Sequence, residues 1–298
     1  MNKYIDKFIV ANNITHHYLE WGNASAKPIV MLHGIGLCAH LWNWTAQSLS
    51  NDYNILSFDM RGHGDSQKPE TGYTFRELAI DLNSIVTALN LYKPYVIGHS
   101  AGGSAAIIAH SIQPEILGPS LIIDSRVGGS RALSSNPDMQ SRPDRTRRKR
   151  AIWDSREAMS TAYRNRKVFQ TWDNRIFDDY INGGTFIRAD GRAELKCPPE
   201  IEAVFYEQRT ILNTSPYLDG ITGDLRLLLG NYPGAQTLND TGIQEFLAKV
   251  HKSEVKVAPK GSHFLPMEYP EVVLEAVSYT HLRAHETDSY LVCRLLLE

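Results

Sequence analysis

The chain has 298 residues, of which 42% are hydrophobic and 21% are charged, and its formal net charge at pH 7 is −2. This length allows one large α/β domain with an insertion or two small domains, and the near-neutral charge argues against a nucleic-acid-binding protein. The chain start lacks the apolar stretch of a signal peptide, and no run approaches the ~18 apolar residues of a membrane span.

The cysteines indicate a reducing environment. Cys38, Cys197 and Cys293 have no metal-type spacing and are too few for a disulfide framework. We therefore expect a cytoplasmic protein. The near-neutral charge, the lack of a long apolar run and the lack of a metal-ligand cluster lead us to expect a small-molecule substrate, no nucleic-acid or membrane partner, no cofactor and no metal.

The elements in chain order predict an α/β fold. Asn12-Asn13 separates two strand-like segments, Phe8–Val10 and Ile14–Trp21, which predicts a β-hairpin. The segment from Phe75 to Leu89 has a helical apolar stripe, and Gly102 to Ile112 is a second predicted helix. Short apolar runs that end in polar or glycine-rich turns predict parallel strands buried on both faces: Ile29–Leu32, Ile55–Phe58, Tyr95–Ile97, Leu121–Ile123 and Leu225–Leu229. This alternation predicts a doubly wound, mostly parallel sheet with ligands at the carboxyl ends of its strands.

The strand–helix rhythm stops between about residues 126 and 217. This segment is rich in charge and aromatic residues, with helical patterns at Ala151–Arg166 and Pro199–Leu212 and no strong strand. We expect residues 126–217 to form a helical cap over the carboxyl edge of the sheet. Residues 1–125 and 218–276 would then form the core.

The last residues have a separate origin in our interpretation. The segment 277–298 resembles one translated reading frame of a sequencing-library adapter across nearly its whole length. It is therefore expected to be non-native, and Cys293, His281 and His285 would have no evolved role. The alternative is a genuine final helix.

The pentapeptide Gly98-His99-Ser100-Ala101-Gly102 follows the apolar run Tyr95–Ile97. Glycines around a serine allow a sharp strand-to-helix turn that exposes the Ser100 hydroxyl. Such a hydroxyl is a weak nucleophile until a base takes its proton, so a histidine and a carboxylate are required elsewhere. On its own, this pentapeptide is weak evidence for a catalytic serine.

Four motifs that occur in a fixed order along the chain give a more specific signal. They are His33-Gly34-Ile35-Gly36, the segment Asp59 to Ser66, the Ser100 pentapeptide and Gly261-Ser262-His263-Phe264. Together they resemble the α/β-hydrolase superfamily over residues ~5–276. The chain is similar to the capped esterase, C–C hydrolase and epoxide-hydrolase branch. Relatives that open epoxides or remove halogens place an aspartate at the nucleophile position, so Ser100 implies acyl-type chemistry.

The resemblance implies that His263 is the general base, whereas His33, His63 and His99 belong to structural parts of the motifs. The acid departs from the family pattern. Relatives usually carry it shortly after the strand that corresponds to Leu225–Leu229, but this chain reads Gly230-Asn231-Tyr232-Pro233 there. Asp124, at the end of the preceding strand, is the favoured substitute. Asp240 is the alternative, although a helix N-cap role explains it equally well.

The same resemblance places the two oxyanion donors at the backbone N–H groups of Ile35 and Ala101. Trp42 and Trp44 are candidates for an acyl pocket, or for core packing. The cap aromatics indicate an apolar or aromatic substrate: Trp153, Tyr163, Phe169, Trp172 and Phe177. The basic run from Arg142 to Arg150 is expected to be a solvated helix face, with an anionic substrate as the alternative.

The expected activity is hydrolysis of a carboxylic ester through an acyl-enzyme. A C–C bond hydrolase, a lactonase or a cofactor-free perhydrolase would use the same three residues. A ligand-binding protein with little turnover is the rival outside this class, because the usual acid position is vacant.

Overall fold

A computed structural model of the protein describes residues 4–129 and 137–278. Its centre is an eight-stranded sheet with strands β1 (Ile5–Ala11), β2 (Ile14–Trp21), β3 (Lys27–Leu32), β4 (Tyr53–Phe58), β5 (Tyr95–His99), β6 (Ser120–Ile123), β10 (Leu225–Leu229) and β11 (Ser253–Val257). A smaller sheet contains β7 (Ile152–Trp153), β8 (Thr185–Ile187) and β9 (Ala193–Leu195).

The strand order of the large sheet is β1-β2-β4-β3-β5-β6-β10-β11. The first pairings, β1 with β2 and β2 with β4, are antiparallel, and the strands from β4 to β11 are parallel to one another. The predicted hairpin and the predicted doubly wound, mostly parallel sheet are therefore confirmed. The carboxyl ends of β3, β5, β6 and β10 meet at one edge, where side chains from distant parts of the sequence can come together.

Helices cover both faces of this sheet. They are α1 (Asn43–Leu49), α2 (Phe75–Ala88), α3 (Ala101–Ile112), α8 (Ser215–Leu218), α9 (Thr241–Lys249), α10 (Leu265–Glu268) and α11 (270–278), and the segment between β6 and β10 adds α4 (Pro137–Arg147), α5 (Arg156–Arg164), α6 (Asn174–Gly183) and α7 (Pro199–Ile211). Alternate residues of the buried strands enter opposite core clusters: Val30 packs with the α2 and α3 side, and Ile29 with the α1 and α11 side.

Local sequence explains where α2 begins. Thr74 has extended backbone angles, and its side chain accepts a hydrogen bond from the Glu77 backbone N–H at 3.1 Å. This is the N-cap arrangement that satisfies a helix-terminal donor. The buried stripe of α2, with Leu78 and Leu82, then packs against the same cluster as Ile107 of α3.

The segment between β6 and β10 contains more than helices. The sequence indicated no strong strand in this segment, and the structure has three short ones, β7, β9 and β8, which pair antiparallel in that order. Strands of two or three residues are too short to give a periodic signal. The helix predicted over Ala151–Arg166 is shorter: it begins at Arg156, after Ser155 accepts a hydrogen bond from the Ala158 N–H.

An aromatic cluster joins this segment to the sheet edge. Tyr163, Phe169 and Trp172 pack with Leu37, from the loop after β3, and with Met267 of α10. Side chains of this segment therefore pack against the loop after β3 and against α10.

Helix α11 continues past the expected end of the native chain. Val277 is 1% exposed and packs with Val273 in the cluster on the α1 side of the sheet. The rest of the segment interpreted as adapter-derived, 279–298, lies outside the described residues. Within the ranges described above, no helix combines the length and apolar character needed to cross a membrane.

Candidate active site

Ser100 lies in a strained turn between β5 and α3. Its backbone angles are φ 53° and ψ −112°, a conformation that a non-glycine residue seldom adopts. A side chain at Gly98 would place its Cβ 2.6 Å from the Gly103 backbone, and one at Gly102 would lie 2.6 Å from Leu32. These glycines permit the close packing that the sharp turn requires.

Hydrogen bonds hold this turn in place. The Ser100 N–H donates to the Ile123 carbonyl at 2.9 Å, and the Ser125 hydroxyl donates to the Ser100 carbonyl at 2.6 Å. Both partners belong to β6 or the residues after it. The neighbouring strand therefore fixes the position of the serine.

His263 and Asp124 form a direct pair at the same sheet edge. Nδ1 of His263 lies 2.6 Å from Oδ2 of Asp124, although the two residues are 139 positions apart in the sequence. The Asp124 carboxylate also accepts from the Gly230 N–H and from the Tyr232 hydroxyl, each at 2.8 Å. Asp124 itself has a positive φ of 43°, which directs its side chain across the end of β10.

These contacts favour the ionised form of Asp124. Burial acts against the charge, but the hydrogen bond and charge of His263, with the Gly230 and Tyr232 donors, more than offset it, so the pKa of Asp124 is lowered. A carboxylate in this position fixes the proton of the ring on Nδ1, which leaves Nε2 free to accept a proton.

The loop after β3 approaches the serine closely. A Cβ on Gly34 would lie 3.2 Å from the Ser100 Cβ. Gly36 has a φ of +73°, and its N–H donates to Nε2 of His63 at 2.9 Å. Ile35, between these two glycines, lines a recess together with Ser100 and Ala101. Ala101 is the first residue of α3, where backbone N–H groups have no partner inside the helix.

Three buried histidines serve this geometry. His33 donates from Nδ1 to the Gly34 carbonyl at 2.7 Å and accepts from the Met60 N–H at 3.1 Å. His99 donates from Nε2 to the His263 carbonyl at 2.7 Å. Burial, and next the neighbouring His263 ring, lower the pKa of His99 to about 3; burial, and next His33, lower the pKa of His63 to about 3. These neutral rings hold the loops of the site.

The structure separates the two acid candidates. Asp240 lies at the start of α9, and its carboxylate accepts from the Thr237 hydroxyl at 3.3 Å. The contact of His263 is with Asp124. Tyr232 was not recognised from sequence as a partner of this carboxylate, although a phenol one residue before Pro233, the position where relatives carry the acid, was a usable signal.

The placement of Trp42 in a substrate pocket was wrong. Trp42 is 1% exposed and packs in the core on the α1 side of the sheet, and Trp44 packs beside Arg175, whose guanidinium lies 5.5 Å from the ring centre. Trp44 also packs against the aromatic cluster of Phe169 and Trp172. Neither residue is among the described residues that line the cavities of the site.

The aromatic residues of the predicted cap fall into two groups, those that line a cavity and those that are buried. Tyr163, Phe169 and Trp172 line a cavity of about 420 Å³, whereas Trp153 and Phe177 are buried within the cap. This cavity shares Ile35, Arg142 and other lining residues with the recess that contains Ser100 and His263. A chamber with aromatic and charged walls therefore opens onto the serine.

The basic run also divides. Arg145, Arg147 and Arg150 form surface ion pairs, with Asp138, Glu200 and Asp154 among their partners. In contrast, Lys149 pairs with Glu202 at 2.7 Å on the wall of the large cavity, and Arg142 lines both that cavity and the recess with Ser100. The expectation of a wholly solvated face therefore holds for only part of the run.

A separate acidic group lies outside this site. Potential ligand atoms of His17, Asp59 and Asp65 lie within 4.8 Å of one another. Nδ1 of His17 is 2.6 Å from Oδ2 of Asp59, and Lys196 forms an ion pair with Asp65. Burial opposes the charge on His17, but Asp59 outweighs it, so the pKa of His17 is raised. Ion pairing accounts for these charges, and we assign no metal to them.

Comparison with known proteins agrees with this geometry. The model of the alpha/beta hydrolase family matches residues 29–276. The chain belongs to this family. Its structure resembles that of E-2-(acetamidomethylene)succinate hydrolase with a TM-score of 0.79 and 18% identity, covering 93% of this chain and 98% of that one.

Two curated relatives match more locally. A soluble epoxide hydrolase of Corynebacterium sp. (strain C12) is 33% identical over 126 residues, 42% of this chain and 43% of the relative. The 2-hydroxy-6-oxo-6-(2'-aminophenyl)hexa-2,4-dienoic acid hydrolase of Metapseudomonas resinovorans is 26% identical over 126 residues, 41% of this chain and 43% of the relative. The chain thus matches less than half the length of these relatives.

Proposed function

We propose that this member of the family is a serine hydrolase that cleaves a carboxylic ester, or a related acyl bond, of a small molecule. The observation that carries the proposal is the 2.6 Å contact between His263 Nδ1 and Asp124 Oδ2, beside a cavity that Ser100 and His263 both line. A histidine oriented by a buried carboxylate is the arrangement that activates a serine hydroxyl.

The reaction would proceed in two halves. The Ser100 oxygen attacks the carbonyl carbon as Nε2 of His263 takes the hydroxyl proton, and the Ile35 and Ala101 N–H groups stabilise the resulting oxyanion. Collapse of this intermediate breaks the ester bond, and His263 gives its proton to the leaving alcohol. A water molecule then loses a proton to His263, attacks the acyl-enzyme and releases the acid and the free serine.

A C–C bond hydrolase that uses the same mechanism is the second candidate. The activity for which the Metapseudomonas resinovorans relative is named favours it. A lactonase or perhydrolase would use the same residues. The serine at position 100 separates this proposal from epoxide opening, which the other relative's name would suggest. A low-turnover binding protein would have no need of the His263–Asp124 pair.

We also propose that the chain is divided into a catalytic core and a cap. Residues 1–125 and 218–276 would act as the catalytic core, and 126–217 as a cap that closes the chamber over Ser100. We also propose that the protein works in the cytoplasm, since Cys38 and Cys197 are both buried free thiols.

A fluorophosphonate probe tests the nucleophile directly. We expect mass spectrometry to find the label on Ser100 in the full chain and to find none in Ser100→Ala. If the full chain takes no label at this residue, the hydrolase proposal is wrong and the binding-protein alternative gains support.

Two asparagine variants test the acid. Asp124→Asn should lower kcat on a p-nitrophenyl ester by about 10⁴-fold, because the imidazole loses its orienting carboxylate. Asp240→Asn is the matched control and should keep the parent kcat. Equal activity of the two variants would refute the role of Asp124.

A further inference from the structure

Three arginines surround the serine. Arg126 follows β6, Arg142 belongs to α4 and Arg209 belongs to α7. Arg126 and Arg209 line the recess that contains Ser100 and Asp124, and they also line a second recess with His263. Arg142 and Arg209 line a third recess with both Ser100 and His263. Cations from three separate elements therefore face the reacting centre.

Among the described basic residues of the segment between β6 and β10, these three line the recesses that contain Ser100 or His263, whereas the ion-paired Arg147 and Lys149 do not. No carboxylate of the described chain forms an ion pair with any of the three. Arg142 instead donates to the Tyr206 hydroxyl at 2.9 Å, with its guanidinium 4.3 Å from the centre of that ring. Nε of Arg126 is buried without a hydrogen-bond partner among the described atoms.

The Asp124 carboxylate already has hydrogen-bond partners within the site. Asp124 is the acidic residue among the described lining of the three recesses, and its oxygens are engaged by His263, Gly230 and Tyr232. Burial is the main cause that lowers the pKa of Arg209; Tyr206 and Tyr232 act against this shift, and the charges of Arg142 and Arg126 add to it. Three neighbouring cations whose nearby carboxylate, Asp124, is already paired with His263 repel one another, and an entering oxyanion would relieve that repulsion.

We propose that the substrate carries a carboxylate, and that Arg126, Arg142 and Arg209 bind it beside Ser100. This inference rests on the proposed hydrolase function, because it places the carboxylate close to the carbonyl that Ser100 attacks. Arginine suits the role because its planar fork matches the two oxygens of a carboxylate.

The cavity dimensions define the rest of the substrate. The recesses beside Ser100 have volumes of about 20 to 30 Å³, which is space for a small group such as a carboxylate. The adjoining chamber of about 420 Å³ is lined by aromatic side chains, among them Tyr163, Phe169 and Trp172, and by the charged side chains of Lys149, Arg166 and Glu202. The expected substrate is therefore an acid with its carboxylate near the scissile bond and an aromatic body in the cap.

A pair of matched esters tests this inference. The substrates are 4-nitrophenyl hydrogen glutarate and its methyl ester, which differ in one negative charge, with the spontaneous hydrolysis subtracted. We expect kcat/KM to be at least about tenfold higher for the acid, and we expect its KM to rise with ionic strength. A ratio of one or below overturns the inference.

Variants of the three arginines test whether these residues cause the preference for the acid. Arg209→Gln, Arg126→Gln and Arg142→Gln should each reduce the acid-to-methyl-ester ratio by about tenfold to a hundredfold, the range expected for a charged hydrogen bond. Arg148→Gln is the matched control, since Arg148 is exposed and lies just after α4. Ratios unchanged in all three variants would overturn the assignment, as would an equal loss in the control.

Two further measurements separate this inference from the hydrolase proposal. Fluorophosphonate labelling of Ser100 reports on the nucleophile in every variant, so a labelled enzyme without acid preference overturns the inference alone. Calorimetry of glutarate with Ser100→Ala reports on binding without turnover. We expect binding that is lost in the Ser100→Ala, Arg209→Gln double variant; no binding to Ser100→Ala overturns the inference.

Discussion

At the scale of single residues, the site depends on how one carboxylate is held. Asp124 accepts three hydrogen bonds, from His263, Gly230 and Tyr232. The phenol of Tyr232 reaches this carboxylate from the segment after β10, where relatives in the family usually carry the acid. The chain thus has a donor in the region of the usual acid, and the carboxylate that contacts His263 lies at the end of β6.

Tyr232→Phe tests this arrangement. Removal of the hydroxyl takes one donor from the ionised carboxylate, so the pKa of Asp124 should rise, and kcat should fall by about three- to tenfold. The pH–rate profile is the decisive measurement, because the acidic limb should move to higher pH. A variant with lower kcat and an unmoved acidic limb would indicate a purely structural role for Tyr232.

At the scale of elements, Asp59 links three parts of the core. Its carboxylate contacts His17 of β2 at 2.6 Å, and it accepts from the Ala39 N–H at 2.7 Å and the Asp65 N–H at 2.9 Å. Gly64 has a φ of +45°, and a Cβ there would lie 1.9 Å from Oδ2 of Asp59. The motif from Asp59 to Ser66 is therefore a structural turn that fixes the loops around the site.

Asp59→Asn should destabilise the fold by about 3 kcal/mol or more, because His17 would remain buried without its counter-charge. Asp65→Asn is the matched control: it removes a surface ion pair with Lys196 and should cost less than about 1 kcal/mol. Urea unfolding of the two variants measures the difference. Similar losses would show that Asp59 does not stabilise the fold through its buried pair.

At the scale of the whole molecule, the cap and the core meet through charged and polar groups as well as apolar ones. Asp179 of α6 accepts a hydrogen bond from the Asn43 side chain of α1. Burial, and to a smaller extent the charges of Asp178 and Asp173, raise the pKa of Asp179 to about 6. The ionised form of this group therefore opposes folding.

The pH dependence of stability follows from this shift. Between the ordinary value of 3.8 and about 6, the folded state binds more protons at Asp179 than the unfolded state, so this group's contribution to stability falls as pH rises. Asp179→Asn should exceed the parent in stability by about 1–2 kcal/mol at pH 7.5, and the difference should vanish near pH 4.

Thermal unfolding at the two pH values measures this difference, with Asp52→Asn, an exposed carboxylate that does not influence Asp179, as the control. A parent protein as stable as Asp179→Asn at pH 7.5 would contradict the expected cost of the buried charge.

The sequence by itself determined the family, the parallel strands and the elements that carry Ser100 and His263, because apolar periodicity and glycine-containing turns are local signals. Only the tertiary structure showed that His263 contacts Asp124 and not Asp240, placed Trp42 in the core, and brought Arg142 to the recess with Ser100 while its neighbours formed surface ion pairs. These outcomes depend on contacts between residues far apart in the chain. Spacing along a sequence does not specify such contacts, because the packing of several elements at one sheet edge creates them together.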